Sequence, residues 1–227
     1  MKISLFVFLS LLAIGCSEIP SAEPDLIATN LASYFAPQSS IERQLWQHTG
    51  LRSGSRDSLF YFEFIGQSAN PTVDGLSPVS IYQFTDSASQ HRTVAEYYIS
   101  DSLVVSYGDS SSKTNARIYM LRDTLRRGMS WFASPDYLTS DSAHVALLAS
   151  VSQYYPNIRV GDSVYNNVFR VEYLVRSITG VSILPEYADS SKHVWYFAQN
   201  VGVVLQYIYD KTGAMLWTNE LIEQRLK

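Results

Sequence analysis

From Ser58 onward, apolar and polar side chains tend to alternate. Phe60, Phe62 and Phe64 are interleaved with Tyr61 and Glu63, and the same period of two returns at Phe169, Val171, Tyr173 and Val175, with Arg170 and Glu172 between them. A period of two sends successive side chains to opposite faces, so these runs predict strands with one buried and one wet face. Further strands are expected over residues 79–84, 93–99, 103–107, 116–121, 193–199 and 203–209, and over 214–225, where the last strand frays into a short helix. Turn-forming residues separate them: Asn70-Pro71 and Asp74-Gly75, Asp101-Ser102, residues 108–114, Gly161-Asp162, Asn200-Val201-Gly202 and Asp210-Lys211-Thr212-Gly213. Links this short join antiparallel neighbours, because a parallel crossover needs a dozen residues or more. The run 143–155 fits a helix opened by Ser140 or Asp141 as well as it fits a buried strand, and its β-rich surroundings favour the strand.

Ahead of the strands, two short helical pieces are predicted. Pro24 and Asp25 open one that carries Leu26, Ile27, Leu31 and Tyr34 on one face. Ser39 as N-cap, with Glu42 three residues on, opens another that carries Ile41, Leu45 and Trp46. The expected fold class is mainly β, antiparallel, with one or two short helices near the N-terminus.

Composition agrees with this pattern. The chain has 227 residues, 46% of them hydrophobic and 13% aromatic, enough for one β-rich domain with a sizeable core. A formal charge of -4 argues against a nucleic-acid partner, which demands a basic face.

The N-terminus sets the expected compartment. Lys2 precedes residues 3–14, which are apolar apart from Ser4 and Ser10, a run shorter than the roughly 20 residues that span a bilayer. Directly behind it stands Cys16, the only cysteine, which has no internal disulfide partner and is therefore a free thiol, an intermolecular bridge or a modified residue. Leu11-Leu12-Ala13-Ile14-Gly15-Cys16 resembles the lipobox of bacterial lipoproteins, although Ala13 stands where Leu is usual. The resemblance implies lipid attachment at Cys16 and cleavage before it. Ordinary secretion with an unmodified thiol is the alternative. The expected division is a signal peptide over residues 1–15, the lipidated Cys16 and a polar, proline-containing tether over 16–25, and a single β-rich domain over 26–227. Ser17, rather than Asp, follows Cys16; by resemblance to enterobacterial sorting this implies an outer-membrane location in the bacterial cell envelope.

Three blocks, Gly128-Met129-Ser130-Trp131, residues 161–168 and residues 195–204, resemble bacterial envelope lipoproteins, with Asn200 in the place of the first Gly of a Gly-x-Gly turn. The resemblance implies a curved antiparallel sheet, half-barrel or barrel-like, comparable to the lipoprotein carriers of the periplasm, and it implies no activity.

Local chemical signals are weak. Gly161-Asp162-Ser163-Val164 resembles the nucleophile block of GDSL hydrolases, and Gly108-Asp109-Ser110 repeats its start, but both sit among turn residues. The nearest acid and base, Asp189 and His193, are one residue too far apart for that family's pattern. His48, His91, His144 and His193 are scattered without zinc spacing, so no metal and no cofactor are expected. Arg126 and Arg127, with Arg122, form a small basic cluster of the kind that usually marks a solvated face. Among the aromatic stripes, Tyr97, Tyr155, Tyr173, Trp195 and Phe197 are candidate contacts for an apolar ligand in a curved sheet, with core packing as the competing account. The expected function is therefore a non-enzymatic envelope lipoprotein, without catalytic residues, that binds an apolar or lipidic ligand. Its partners would be the membrane, through the N-terminal lipid, and an apolar ligand or an envelope protein. The alternatives are an accessory subunit of an envelope complex acting through protein contacts and, with least behind it, a serine hydrolase.

Overall fold

The computed structural model describes residues 26–35, 41–50, 57–67, 77–84, 92–107, 117–134, 144–179 and 190–226. Among them are twelve strands: β1 (Ile41–Gly50), β2 (Asp57–Gln67), β3 (Ser77–Phe84), β4 (Arg92–Ser100), β5 (Leu103–Tyr107), β6 (Arg117–Arg122), β7 (Ser130–Phe132), β8 (His144–Val160), β9 (Ser163–Thr179), β10 (Ser190–Ala198), β11 (Gly202–Asp210) and β12 (Met215–Leu226). They form one sheet in the order β6-β5-β4-β3-β2-β1-β12-β11-β10-β9-β8-β7. Every neighbour is antiparallel, and all pairs but one are consecutive in sequence. The fold is thus two meanders of six strands joined along a single long-range seam, β1 against β12.

The mainly β, antiparallel expectation holds, including the strand over 143–155, which is the first part of β8. Two local expectations do not. The segment read as a helix from Ser39 is strand β1, paired with β2 on one side and β12 on the other. Its pairing with β12 is irregular twice, with Glu42 as the extra residue of β1 and Ile222 as the extra residue of β12, and the helix-like spacing of Ile41, Leu45 and Trp46 spans the first of these. The helix predicted from Pro24 is reduced to one 3₁₀ turn, Leu31–Tyr34, whose cap Asn30 accepts from the Ser33 amide at 3.1 Å. At the other terminus β12 stays extended to Leu226 and shows no helical end.

The sheet curls until its two edges nearly meet, without closing into a barrel. The point of approach is a bulge in β6, where Met120 is the extra residue opposite Val104 and Val105. There the Tyr119 amide donates to the Ala133 carbonyl just past β7 (2.6 Å), and the Trp131 indole donates to the Tyr119 carbonyl (2.8 Å). The Tyr173 hydroxyl, from β9, donates to the Met120 carbonyl (2.6 Å). The curl encloses a core drawn from both meanders: Tyr97, Val104, Met120 and Leu121 from one, Leu147, Val151, Phe169, Val171, Tyr173 and Phe197 from the other.

The N-terminal segment lies across one end of this enclosure. Ala28 exchanges two backbone hydrogen bonds with Leu125 (2.9 and 2.8 Å), the Leu31 amide donates to Asp101, and the Asn200 amide donates to Ser33. Leu31 and Tyr34 drop into the core, Tyr34 edge-on against Phe169 at 5.4 Å. The paired β8–β9 hairpin runs on past the end of β10, and residues near its tip, Val160 and Tyr165, join a second cluster with Trp46, Val204 and Leu221.

Two buried tyrosines give a paired test. Tyr173 spends its hydroxyl on a carbonyl that the β6 bulge leaves facing inward, whereas the Tyr34 hydroxyl, 1% exposed as a residue, has no hydrogen-bond partner among the described residues. Burial accordingly holds the Tyr34 phenol far above its ordinary range. Tyr173→Phe should cost about 1–2 kcal/mol in urea unfolding, and Tyr34→Phe should be neutral or stabilising. Equal losses from the two changes would show that the edge-to-edge bond is no constraint.

Candidate functional site

Alternation and register decide which side chains share the inner face. On β10, His193, Trp195 and Phe197 point one way and Val194, Tyr196 and Ala198 the other. Phe197 lies opposite Phe169, Trp195 opposite Val171 and His193 opposite Tyr173, and these partners belong to the enclosed core, so this is the inner face. Followed across the other flank of β10, the Trp195 position lies opposite Gln206 on β11, Gln206 opposite Asn219 on β12, Asn219 opposite His48 on β1, and His48 opposite Leu59 on β2.

That row is hydrogen-bonded side chain to side chain. Asn219 donates from Nδ2 to Gln206 Oε1 (2.8 Å), which leaves its Oδ1 to accept from His48 Nδ1 at 2.7 Å and assigns the proton of His48 to Nδ1. Beyond Gln206 the row reaches Trp195, whose indole Nε1 is buried and has no hydrogen-bond partner among the described residues. Next to it runs a second row, Trp217, Ile208, His193 and Tyr173, with the Trp217 ring 5.4 Å from that of His48. Trp46 and Leu221, mutually paired, border the row on its other side.

Exposure divides the inner face. Phe169, Val171 and Phe197 are fully buried under the core. His48, Gln206, Trp195 and Trp217 are only half-buried, and Leu59 at the far end of the row is 52% exposed. The accessible part of the inner face is therefore an indole and imidazole surface crossed by two amides. Such a surface can pack flat apolar groups and hydrogen-bond a polar one.

His193 sits between this part and the core at 3% exposure, and burial pushes its imidazole down to about 3. The unfolded chain, with an ordinary histidine near 6.5, takes up a proton that the folded protein refuses. Stability tied to His193 is thus intact above pH 6.5 and is lost as the pH falls towards 3. Relative to His193→Gln, the natural protein should lose about 1.4 kcal/mol per pH unit between pH 6 and 4 in denaturant titrations. Parallel curves for the two proteins would refute the buried neutral imidazole.

Of the aromatics proposed from sequence, three meet on the inner face: Tyr173 edge-on to Trp195 at 5.9 Å and Trp195 stacked with Phe197 at 6.0 Å. Tyr97 is in the same core but on β4, under Phe35 at 4.5 Å. Tyr155 lies apart, stacked with Tyr196 at 6.1 Å on the outer face. There Tyr196, Tyr207 and Tyr209 continue the contact, Lys192 lies 4.7 Å over the Tyr209 ring, and Arg170 pairs with Glu172. Burial raises the Tyr207 phenol to about 12. His48, Gln206, Asn219 and Trp217 were not singled out from sequence. The only local hint was the two-residue spacing of Trp217, Asn219 and Leu221 in a segment already read as extended.

The remaining signals fall elsewhere. Ser163 of the GDSL-like block opens β9 next to the Gly161-Asp162 turn, ten residues from the Tyr173 position that faces His193, roughly 30 Å at strand rise. Arg122, Arg126 and Arg127 are exposed around Leu125, with Arg122 3.6 Å from Asp123. Among the described residues, no group of three His, Cys, Asp or Glu side chains is placed to hold a metal. Cys16, His91, Asp109 and Asp189 lie outside the described residues.

No family model and no curated protein matches the sequence. Among solved structures, the chain is similar to a protein of YmcC-like fold from Bacteroides fragilis proposed to be exported, at 13% identity and a TM-score of 0.47 over 85% of this chain and 99% of that one. It is also similar to a proposed lipoprotein from Parabacteroides distasonis (11% identity, TM-score 0.42, 85% and 98% covered). A third likeness is to a proposed outer membrane lipoprotein-sorting protein domain from Vibrio parahaemolyticus (9% identity, TM-score 0.26, 86% and 88% covered). These neighbours are of the kind named by the sequence resemblance, β-rich exported proteins and lipoproteins. At such identities no activity passes from them to this chain.

Proposed function

We propose that this chain is a non-enzymatic lipoprotein of the bacterial envelope, anchored through Cys16 at the outer membrane, that holds an apolar or lipidic ligand on the open part of its inner face. One observation carries the ligand reading: the row from His48 to Gln206 ends at a buried indole N–H with no partner, on a surface of half-buried tryptophans. A buried donor left unpaired costs about 1–3 kcal/mol, a cost that a bound acceptor removes. Trp195 is the contact residue in this reading, with Tyr173 and Phe197 as its floor, while Tyr97 is enclosed in the core on β4 and Tyr155 lies on the outer face. Anchoring rests on the lipobox-like residues 11–16 and the polar stretch behind them.

A second reading, an accessory subunit acting through protein contacts, is favoured by the outward apolar side chains Phe132 and Val164, 66% and 54% exposed. Binding of a neutral environment-sensitive dye, N-phenylnaphthylamine, separates the two. On the ligand reading the purified mature protein takes up the dye, and Trp195→Ala weakens uptake about fivefold through the lost indole surface. Absence of uptake, with no lipid in an organic extract of the protein, would turn the assignment to the accessory role. Separately, Cys16→Ala should move the protein from the membrane to the soluble envelope fraction. Unchanged membrane retention would end the lipid-anchor reading.

A further inference from the structure

The charged side chains of the seam and the second meander are sorted by face. On β1 and β12, Arg43 lies opposite Arg225 and Leu45 opposite Glu223, on the face away from Gln44, Trp46 and His48. Glu220 lies opposite Leu205 on the face of Tyr207, away from Asn219 and Gln206. On β9 and β10, Arg170, Glu172 and Lys192 occupy the outer positions, where they contact one another. The described polar groups on the inner face of these strands include His48, Asn219, Gln206, His193, Tyr173, Gln44 and Gln224, none of them a carboxylate or an ammonium, while on β2 the acidic residues Asp57 and Glu63 occupy positions of the same face on either side of Leu59. Of the two histidines, His193 is enclosed, and His48 donates from Nδ1 to the Asn219 amide oxygen.

We propose that the ligand of this site is an uncharged amphiphile, a lipid whose head offers hydroxyl or ester oxygens rather than a carboxylate or phosphate. This rests on the ligand-binding reading above and narrows it. An ionised head laid across this row would leave water without meeting a counter-charge, and a desolvated charge without a partner is heavily penalised. A glyceride head meets a different environment. Its ester or hydroxyl oxygen accepts from Trp195 Nε1, the planar amides of Gln206 and Asn219 border it, and Trp217 and Leu59 offer apolar surface for the acyl chain.

The test compares two probes with the same chain, 1-monooleoylglycerol and oleate, each displacing N-phenylnaphthylamine from the mature protein at pH 8, where oleate is ionised. The expected result is at least about tenfold tighter binding of the monoglyceride. Gln206→Lys, which places a cation on the row, should reverse the preference by strengthening oleate. Trp195→Phe should weaken the monoglyceride about fivefold, a readout that survives if the lysine variant fails to fold. Equal or tighter binding of oleate to the natural protein overturns the uncharged-head assignment while leaving a lipid site in place. Dye uptake that neither probe displaces overturns it as well, and no binding of dye or probe removes the ligand reading itself.

Discussion

The constraint on which the rest depends is the approach of the two sheet edges at the β6 bulge. An open twelve-stranded sheet presents two rows of unpaired amides and carbonyls, a standing invitation to pair with another chain. Here the bulge at Met120 turns one edge so that two donors from the opposite meander converge on its backbone, Trp131 on the Tyr119 carbonyl and Tyr173 on the Met120 carbonyl, while the Tyr119 amide donates back to the Ala133 carbonyl. A bulge both sharpens local twist and frees backbone groups from the ladder. Met120 and Leu121, adjacent at the bulge, are both buried.

That closure divides the inner face. The half near β6 and β7 is packed by side chains from both meanders and by Leu31 and Tyr34 of the N-terminal segment, whose backbone is tied at Asp101, Leu125 and Asn200. The half near the β1–β12 seam is left to Trp217, His48 and Gln206, which stay partly accessible. Among the described strands the seam is the only pairing between partners distant in sequence, so the accessible half of the inner face is also the part assembled from the most separated segments.

This explains what could and could not be read from the chain alone. β9, β10 and β11 were legible because Phe169, Val171 and Tyr173 alternate cleanly with Arg170 and Glu172, and because Gly161-Asp162 and Asn200-Val201-Gly202 mark turns. β1 was misread because its extra residue Glu42 and the adjacent apolar pair Leu45 and Trp46 blur its period, and Ser39 with Glu42 happens to satisfy a helix cap. β7, three residues long, carries too little pattern to register. The candidate site was mostly illegible for a different reason. Trp195 stood out as an aromatic in a strong strand, but His48, Gln206 and Asn219 become neighbours only through the β1–β12 and β11–β12 registers, and no local periodicity encodes a register between residues 48 and 219.

The polar row also bears on why this region is not simply more core. A row of valines or leucines at these positions would bury more apolar surface and leave no donor unpaired, so the amides and the imidazole are retained at a cost in stability. Part of that cost is offset within the row, where Asn219 bonds to both neighbours. The rest falls on Trp195 Nε1, which has no hydrogen-bond partner among the described residues. The outer face shows the contrast: there Arg170, Glu172 and Lys192 satisfy one another beside the tyrosines. Along β9 to β12 the ions that pair with one another stand outside and the row's amides stand inside next to half-exposed indoles, and it is on this arrangement that the proposed uncharged guest rests.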